Sequence, residues 1–497
     1  MSAETVRGGG ARVEVEGVSV PVDHYIDGRR VASAERFEVR SPIDWERWRL
    51  ADVAAGGVAE VDLAVAAARR AFVAWAALGP EGRREALTRL ADAIDAAVPD
   101  LARVECADNG SLHEAMSLRV LPRAANNIRF FADFAVERLA EPERTLHGGE
   151  RNRVRHDPCG VVAVSTPWNA PFMLATWRVG PALAAGNTVV LKPPEWAPLT
   201  CSLLGDLADA AGLPPGVLNI VHGTGAAAGA PLTGHAGVDR VAFTGSPATA
   251  RTVYRDAAAQ LTPVSFELGG KSPFVVFADA DLDAAAATAA YQYDNSGQVC
   301  LAGTRLLVQE SILDAFLERF TARVQEIRVG DPRDAKTTYG PLIHPVALER
   351  VTGHVQRAVA AGAELVFGGE SLGGLYYAPT LFRHVPGDAE ILQHEVFGPV
   401  LTLQTFADEA EAIRLANGTE YGLAATIYTG SEARAERVSA AVVAGTVWVN
   451  CFYVRDLETP FGGARDSGIG REGGRHSFDF YCDVKTVCER TALFTGD

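Results

Sequence analysis

Val161-Val162-Ala163-Val164-Ser165-Thr166-Pro167-Trp168-Asn169 is the stretch that decides the fold. A short β-branched run that stops at a proline turn and gives way to an apolar helix, Leu174 to Ala185, reads as one unit of a parallel sheet. The unit recurs. Thr188-Val189-Val190-Leu191 leads to a helix from Leu199 to Ala211, Val217-Leu218-Asn219-Ile220-Val221 follows, and Val238-Asp239-Arg240-Val241-Ala242-Phe243 completes the series. Strands alternating with helices predict an α/β fold with a doubly wound sheet, whose ligands sit at the carboxyl ends of the strands.

Upstream, Tyr25 to Val31 predicts a hairpin turning on Asp27-Gly28. Helical spacing then covers Val58 to Trp75, Glu81 to Ala97, Leu101 to Met116 and Pro122 to Leu139, with breaks at Pro80 and Pro99. Residues 1–20 read as a loose tail without the apolar core of a signal peptide. The charged run 141–156 reads as an edge strand leaving its domain. Downstream, Phe274-Val275-Val276-Phe277, a helix from Asp281 to Asn295, Thr304 to Val308, a helix from Leu313 to Ile327 and Val447 to Asn450 predict a second α/β domain. The alternation from Phe478 to Glu489 predicts a strand pairing outside its own domain.

The chain has 497 residues, enough for several domains, and 48% of them are hydrophobic. No apolar run approaches the roughly 18 residues of a membrane span. A formal charge of −16 argues against nucleic acid and anionic membranes as partners. Seven scattered cysteines form no disulfide framework and eleven histidines show no ligand spacing, so we expect a reducing, cytoplasmic compartment and no metal.

Unusual residues gather where strands end. Asn169 offers an amide donor. Glu195, in Lys192-Pro193-Pro194-Glu195, can accept from ribose hydroxyls and would repel a 2′-phosphate, favouring NAD over NADP. Ser246, in Thr244-Gly245-Ser246, opens a helix whose N-terminus suits a pyrophosphate, although no GxGxxG is present. Glu267, in Glu267-Leu268-Gly269-Gly270-Lys271, and Cys300, in Gly297-Gln298-Val299-Cys300, are a carboxylate and a thiol able to act as base and nucleophile.

These segments, with Glu395-Val396-Phe397-Gly398-Pro399, Asn417 to Leu423 and Pro460-Phe461-Gly462-Gly463, occur in the order and approximate spacing of aldehyde dehydrogenases, which the chain resembles from His24 to Val487. The resemblance implies a cofactor-binding domain (21–140 and 157–268), a catalytic domain (269–477) and a β-strand oligomerisation arm (141–156 and 478–497) joining subunits into a homodimer or homotetramer. It implies Cys300 as nucleophile, Glu267 as base and Asn169 as oxyanion donor. Thr166, Trp168, Lys192, Glu195, Gly225, Ser246, Gly269, Glu395 and Phe397 would form the cofactor set. Ala250, where a glycine often stands, and Pro194 depart from the pattern.

The expected reaction joins Cys300 to an aldehyde, removes hydride to NAD and hydrolyses the thioester. Helix-end dipoles or a nearby base can raise the thiolate fraction. Release to coenzyme A is the main alternative, and a cofactor-free thiol hydrolase a weaker one. Val449 to Phe461 resembles the branch acting on hydroxymuconic and carboxymethyl-hydroxymuconic semialdehydes. That likeness implies Arg123, Arg455 and Phe461 as substrate residues, with Arg123 gripping a carboxylate. Glu458 cuts against it, since the branch usually has an arginine there, unless that acid turns to solvent or pairs with Arg455.

Overall fold

The computed structural model describes residues 10–139, 144–146 and 149–493. The expected tail as far as residue 9, residues 140–143 and 147–148 of the charged run, and residues 494–497 lie outside the described residues.

The run 161–267 forms the centre of an eight-stranded sheet. Leu218–Ile220, Thr188–Lys192, Val161–Ser165, Arg240–Thr244 and Val264–Glu267 lie side by side in that order, all parallel. The chain moves outward in both directions from Val161–Ser165, which makes the gap between it and Arg240–Thr244 the switch point. Both faces are covered. Val162, Val164, Val189 and Leu191 enter one apolar cluster, and Val161, Ala163, Val190 and Val241 the other, which explains the continuous apolar runs. His24–Ile26 and Arg29–Val31 complete one edge as an antiparallel hairpin, with Asp27 and Gly28 at φ 54° and 70° as its turn demands.

The second sheet has seven strands, with Pro273–Val276 and Arg305–Gln309 near its middle and antiparallel Glu364–Phe367 at one edge. Its faces bury Phe274, Val276 and Leu306 on one side and Val275, Phe277 and Leu307 on the other. A separate three-stranded sheet pairs Cys482–Glu489 with Arg151–Pro158, and that strand with Arg144–Thr145. No helix of the described residues is long and apolar enough to cross a membrane.

Several expectations need correction. Within the supposed tail 1–20, Arg12–Val15 and Val18–Pro21 form a hairpin through Glu16 and Gly17, burying Val15, Val18 and Val20. A second hairpin, Arg36–Arg40 with Arg49–Ala54, lies before the helices. Pro99 does not break its helix, which runs Gly79–Asn109 and ends at left-handed Gly110. The stripe Leu87, Leu90, Ile94, Leu101 and Val104 continues past the proline into the same core, and this packing offsets the roughly 3 kcal/mol of an interior proline. The helix expected to Asn295 stops at Ala290. Phe478 to Tyr481 belong to the helix Gly474–Tyr481, so the final strand starts at Cys482. Gly468–Ile469, inside the expected catalytic segment, returns to pair with Val264–Glu267 of the first sheet.

Candidate active site

Three strand ends converge on the switch point. After Val161–Ser165, Thr166 is buried with its Oγ1 lacking any partner, and Trp168 meets the Phe397 ring edge-on at 5.3 Å. After Thr188–Lys192, the buried Lys192 donates from Nζ to the Pro193 carbonyl at 2.8 Å and lies 3.8 Å from Glu195 Oε2. That carboxylate accepts the Gly225 N–H at 2.9 Å. After Arg240–Thr244, Ser246 caps the helix Pro247–Ala258 by accepting the Thr249 N–H at 3.2 Å. Farther on, Glu395 Oε1 accepts the Gly270 N–H at 2.9 Å, and any Cβ at Gly269 would collide with the same carboxylate. Burial pushes the Glu395 carboxyl up to about 7 against the pull of that N–H, Arg350 and Lys271. An orphaned hydroxyl, a cation and acceptors held by glycine amides suit a dinucleotide's phosphates and ribose hydroxyls, so these residues fit a nicotinamide dinucleotide.

Cys300 follows a turn made of three successive left-handed residues, Asn295, Ser296 and Gly297, at φ 51°, 57° and 67°. Gln298 locks that turn: its Oε1 accepts the Ile343 N–H at 2.9 Å and its Nε2 donates to the Asn295 carbonyl at 3.1 Å. Asn169 Nδ2 donates to the Gln298 carbonyl at 3.0 Å, bringing the amide to the cysteine turn. The half-buried Cys300 thiol is pushed up to about 12, first by burial and then by the Glu395 and Glu267 carboxylates, while the N–H groups of Cys300 and Leu301 oppose them. The surroundings of the protein alone therefore hold the thiol protonated, contrary to the expectation of dipoles favouring the thiolate.

Glu267 ends the strand Val264–Glu267, buried, with neither carboxylate oxygen hydrogen-bonded. Burial pushes it up to about 7, opposed by Arg178, Arg455 and Arg471. A carboxyl poised there can take a proton near neutrality.

Arg123 and Arg455 share this neighbourhood. Among the described residues neither guanidinium has a hydrogen bond or ion pair, and Arg123 Nε and Arg455 Nη2 are fully buried atoms. Arg455 lies over the Phe461 ring at 4.0 Å and the Trp177 ring at 5.0 Å. Burial first and the nearby Arg123 second lower it to about 10, while Glu267 and Asp456 pull the other way. Glu458 turns outward, half-exposed, and pairs with Arg138 rather than Arg455.

The aldehyde dehydrogenase family model matches residues 30–487. The chain belongs to the aldehyde dehydrogenase family. It is 43% identical to 2-hydroxymuconic semialdehyde dehydrogenase of Pseudomonas sp. (strain CF600), covering 94% of this chain and 99% of that one. With 5-carboxymethyl-2-hydroxymuconate semialdehyde dehydrogenase of Escherichia coli the identity is 42%, over 92% and 98% of the two chains. The crystal structure of indole-3-acetaldehyde dehydrogenase from P. syringae, in complex with NAD+, superposes with a TM-score of 0.93 at 38% identity, covering 95% of this chain and 97% of that one.

Sequence patterns missed part of this aldehyde dehydrogenase's site. Arg178 and Glu472 form a completely buried ion pair beneath Glu267, with Arg178 Nη1 also donating to Ser265 Oγ at 3.0 Å. Arg178 sits in the apolar helix Pro171–Ala184, and a lone charge between the apolar Trp177 and Val179 was the available signal. Lys271, buried with no partner for Nζ and lowered to about 7 by burial, lies behind Glu395.

Proposed function

We propose that this enzyme oxidises a semialdehyde bearing a carboxylate, with NAD rather than NADP as acceptor. The observation that carries this reading is the pair Arg123 and Arg455. Two like charges partly withdrawn from water without an ion pair are costly, and an anion arriving with the substrate would relieve that cost through charge-assisted bonds. The names of the semialdehyde dehydrogenases above point to the same substrate class. Glu458, directed to Arg138, does not pair with either arginine. We assign one carboxylate of the substrate to the two arginines.

In this reading the Cys300 thiol gives its proton to the ionised Glu267 carboxylate, which passes it to solvent, and Sγ bonds to the aldehyde carbon. The alkoxide that forms is held by the Asn169 amide and the Cys300 N–H. NAD, when bound, supplies the hydride acceptor. Thr166, Lys192, Glu195, Gly225 and Ser246 would hold its adenosine and phosphate half, and Glu395, Phe397, Trp168 and Gly269 would seat the other half. Glu267 then takes a proton from water, the resulting hydroxide attacks the Cys300 thioester, and the thiolate leaves as the acid forms. The Glu195 charge supports NAD over NADP.

Among the described residues no strand pairs with the outer edge of Cys482–Glu489. It supports an arm pairing with a second subunit, as a homodimer or homotetramer, and the free cysteines support a cytoplasmic setting.

The test is NADH or NADPH formation against aliphatic, aromatic and carboxylated aldehydes, with and without coenzyme A. Carboxylated aldehydes with NAD should lead, and Cys300→Ala should be inactive throughout. Preference for neutral aldehydes, for NADP, or a strict need for coenzyme A would each replace the corresponding part of the reading.

A further inference from the structure

We infer that Asn295 is a positioning residue that sets the Asn169 amide against the Cys300 turn. The inference rests on Asn169 being the oxyanion donor.

Two separate chain segments meet here, and the bonds between them run both ways. Asn169 sends its side-chain N–H to the Gln298 carbonyl at 3.0 Å. Asn295 sends its own Nδ2–H back to the Asn169 carbonyl at 3.4 Å. The Ser111 hydroxyl, buried in the loop after the helix Gly79–Asn109, donates to Asn295 Oδ1 at 3.1 Å and so orients that amide. Asn109 completes the arrangement, accepting the Ser111 N–H at 2.9 Å and donating to the Trp168 carbonyl at 3.4 Å. Successive carbonyls, Trp168 and Asn169, are thereby gripped by Asn109 and Asn295, and Ser111 ties the two grips together.

The backbone explains why asparagine serves at 295. Its φ of 51° opens the left-handed run before Gly297, a conformation asparagine accepts more readily than other residues with a side chain. Gly297 must be glycine, because a Cβ there would collide with the Gly398 carbonyl. Asn295 thus combines a tolerated left-handed backbone with a side chain that reaches across to Asn169. Its failure would let the Asn169 loop drift from the cysteine turn, and small misplacements of a catalytic group are expensive in rate.

The experiment is a double-mutant cycle. Asn295→Gly keeps the backbone conformation and removes both side-chain bonds; Asn295→Asp keeps the acceptor for Ser111 and loses the donor to Asn169. Each should lower kcat by about 10- to 100-fold, with KM for NAD and the melting temperature unchanged. In the Asn169→Ala background neither should cost anything more, because the group they position is gone. Additive losses would show that Asn295 does not act through Asn169 and would overturn the inference, as would unchanged kcat in Asn295→Gly and Asn295→Asp. If Asn169→Ala alone leaves kcat intact, it is the donor role of Asn169 that fails, an outcome the single variant separates from the rest.

Discussion

Arg178 and Arg455 both act on Glu267, with Arg123 near Arg455, and the protein treats Arg178 and the pair Arg123–Arg455 in opposite ways. Arg178 is completely enclosed, yet its charge is met by Glu472, and Ser265 and Thr244 take further N–H groups. Arg123 and Arg455 are buried at individual nitrogens and met by no anion among the described residues. Glu267 resembles them, a buried carboxyl with no hydrogen bond. Arg178 Nε and Glu472 Oε2 also lack a hydrogen bond, so the difference lies in the counter-ion: Arg178 has one in Glu472, and in the proposed reading Glu267 takes a water from solution and the arginines a carboxylate.

The sharpest break of this contrast is Glu267→Gln. It should lower steady turnover by about 10²–10⁴-fold, the range for loss of a general base, after a single burst of NADH; undiminished steady turnover removes Glu267 from that role. The wild-type rate should rise with pH through about 7 as the carboxyl ionises. The sign for stability is opposite. Because the folded carboxyl titrates above its ordinary value, its protonated form favours folding, and its contribution is present below about 4.5 and lost as pH rises through about 7. Glu267→Gln should therefore melt higher relative to wild type at pH 8 than at pH 5, and a pH-independent difference would count against the raised carboxyl.

Arg178→Met leaves Glu472 buried and alone, which should cost about 3–5 kcal/mol of stability in urea unfolding; a loss under about 1 kcal/mol would put Arg178 in the same class as Arg123. Arg455→Met should do the reverse, leaving stability unchanged or raised while KM for a carboxylated aldehyde rises about 10- to 100-fold. Marked destabilisation by that variant would make Arg455 a structural group. Smallest of all, Glu458→Gln breaks only an exposed pair with Arg138 and should shift stability by at most about 1 kcal/mol. A large change in substrate KM there would bring Glu458 back to the pocket.

The same division decides what could be read from the sequence. The parallel sheet around Val161–Ser165 was legible because both its faces are apolar and its turns carry Pro and Gly. Residues bound to a local pattern, such as Glu267 before Gly269-Gly270 or Asn169 after a strand, could be singled out with it. The Arg12–Pro21 hairpin had its own signal, alternating valines about Glu16-Gly17, which the tail's polar start obscured. Pro99 misled because local propensity says nothing of the long-range packing that carries its helix onward. Arg178–Glu472 and Ser111–Asn295 join positions far apart in the chain, and no spacing in a single sequence encodes such pairs.

The most direct measurement compares kcat/KM for an aldehyde bearing a free carboxylate with that for its methyl ester, in wild type and in Arg123→Met/Arg455→Met. The unpaired arginines predict a wild-type preference for the acid of about tenfold or more, collapsing to near unity in the double variant while the ester's kcat/KM is unchanged. Equal use of acid and ester by the wild type, or a preference that survives loss of both arginines, would contradict the carboxylate-binding role.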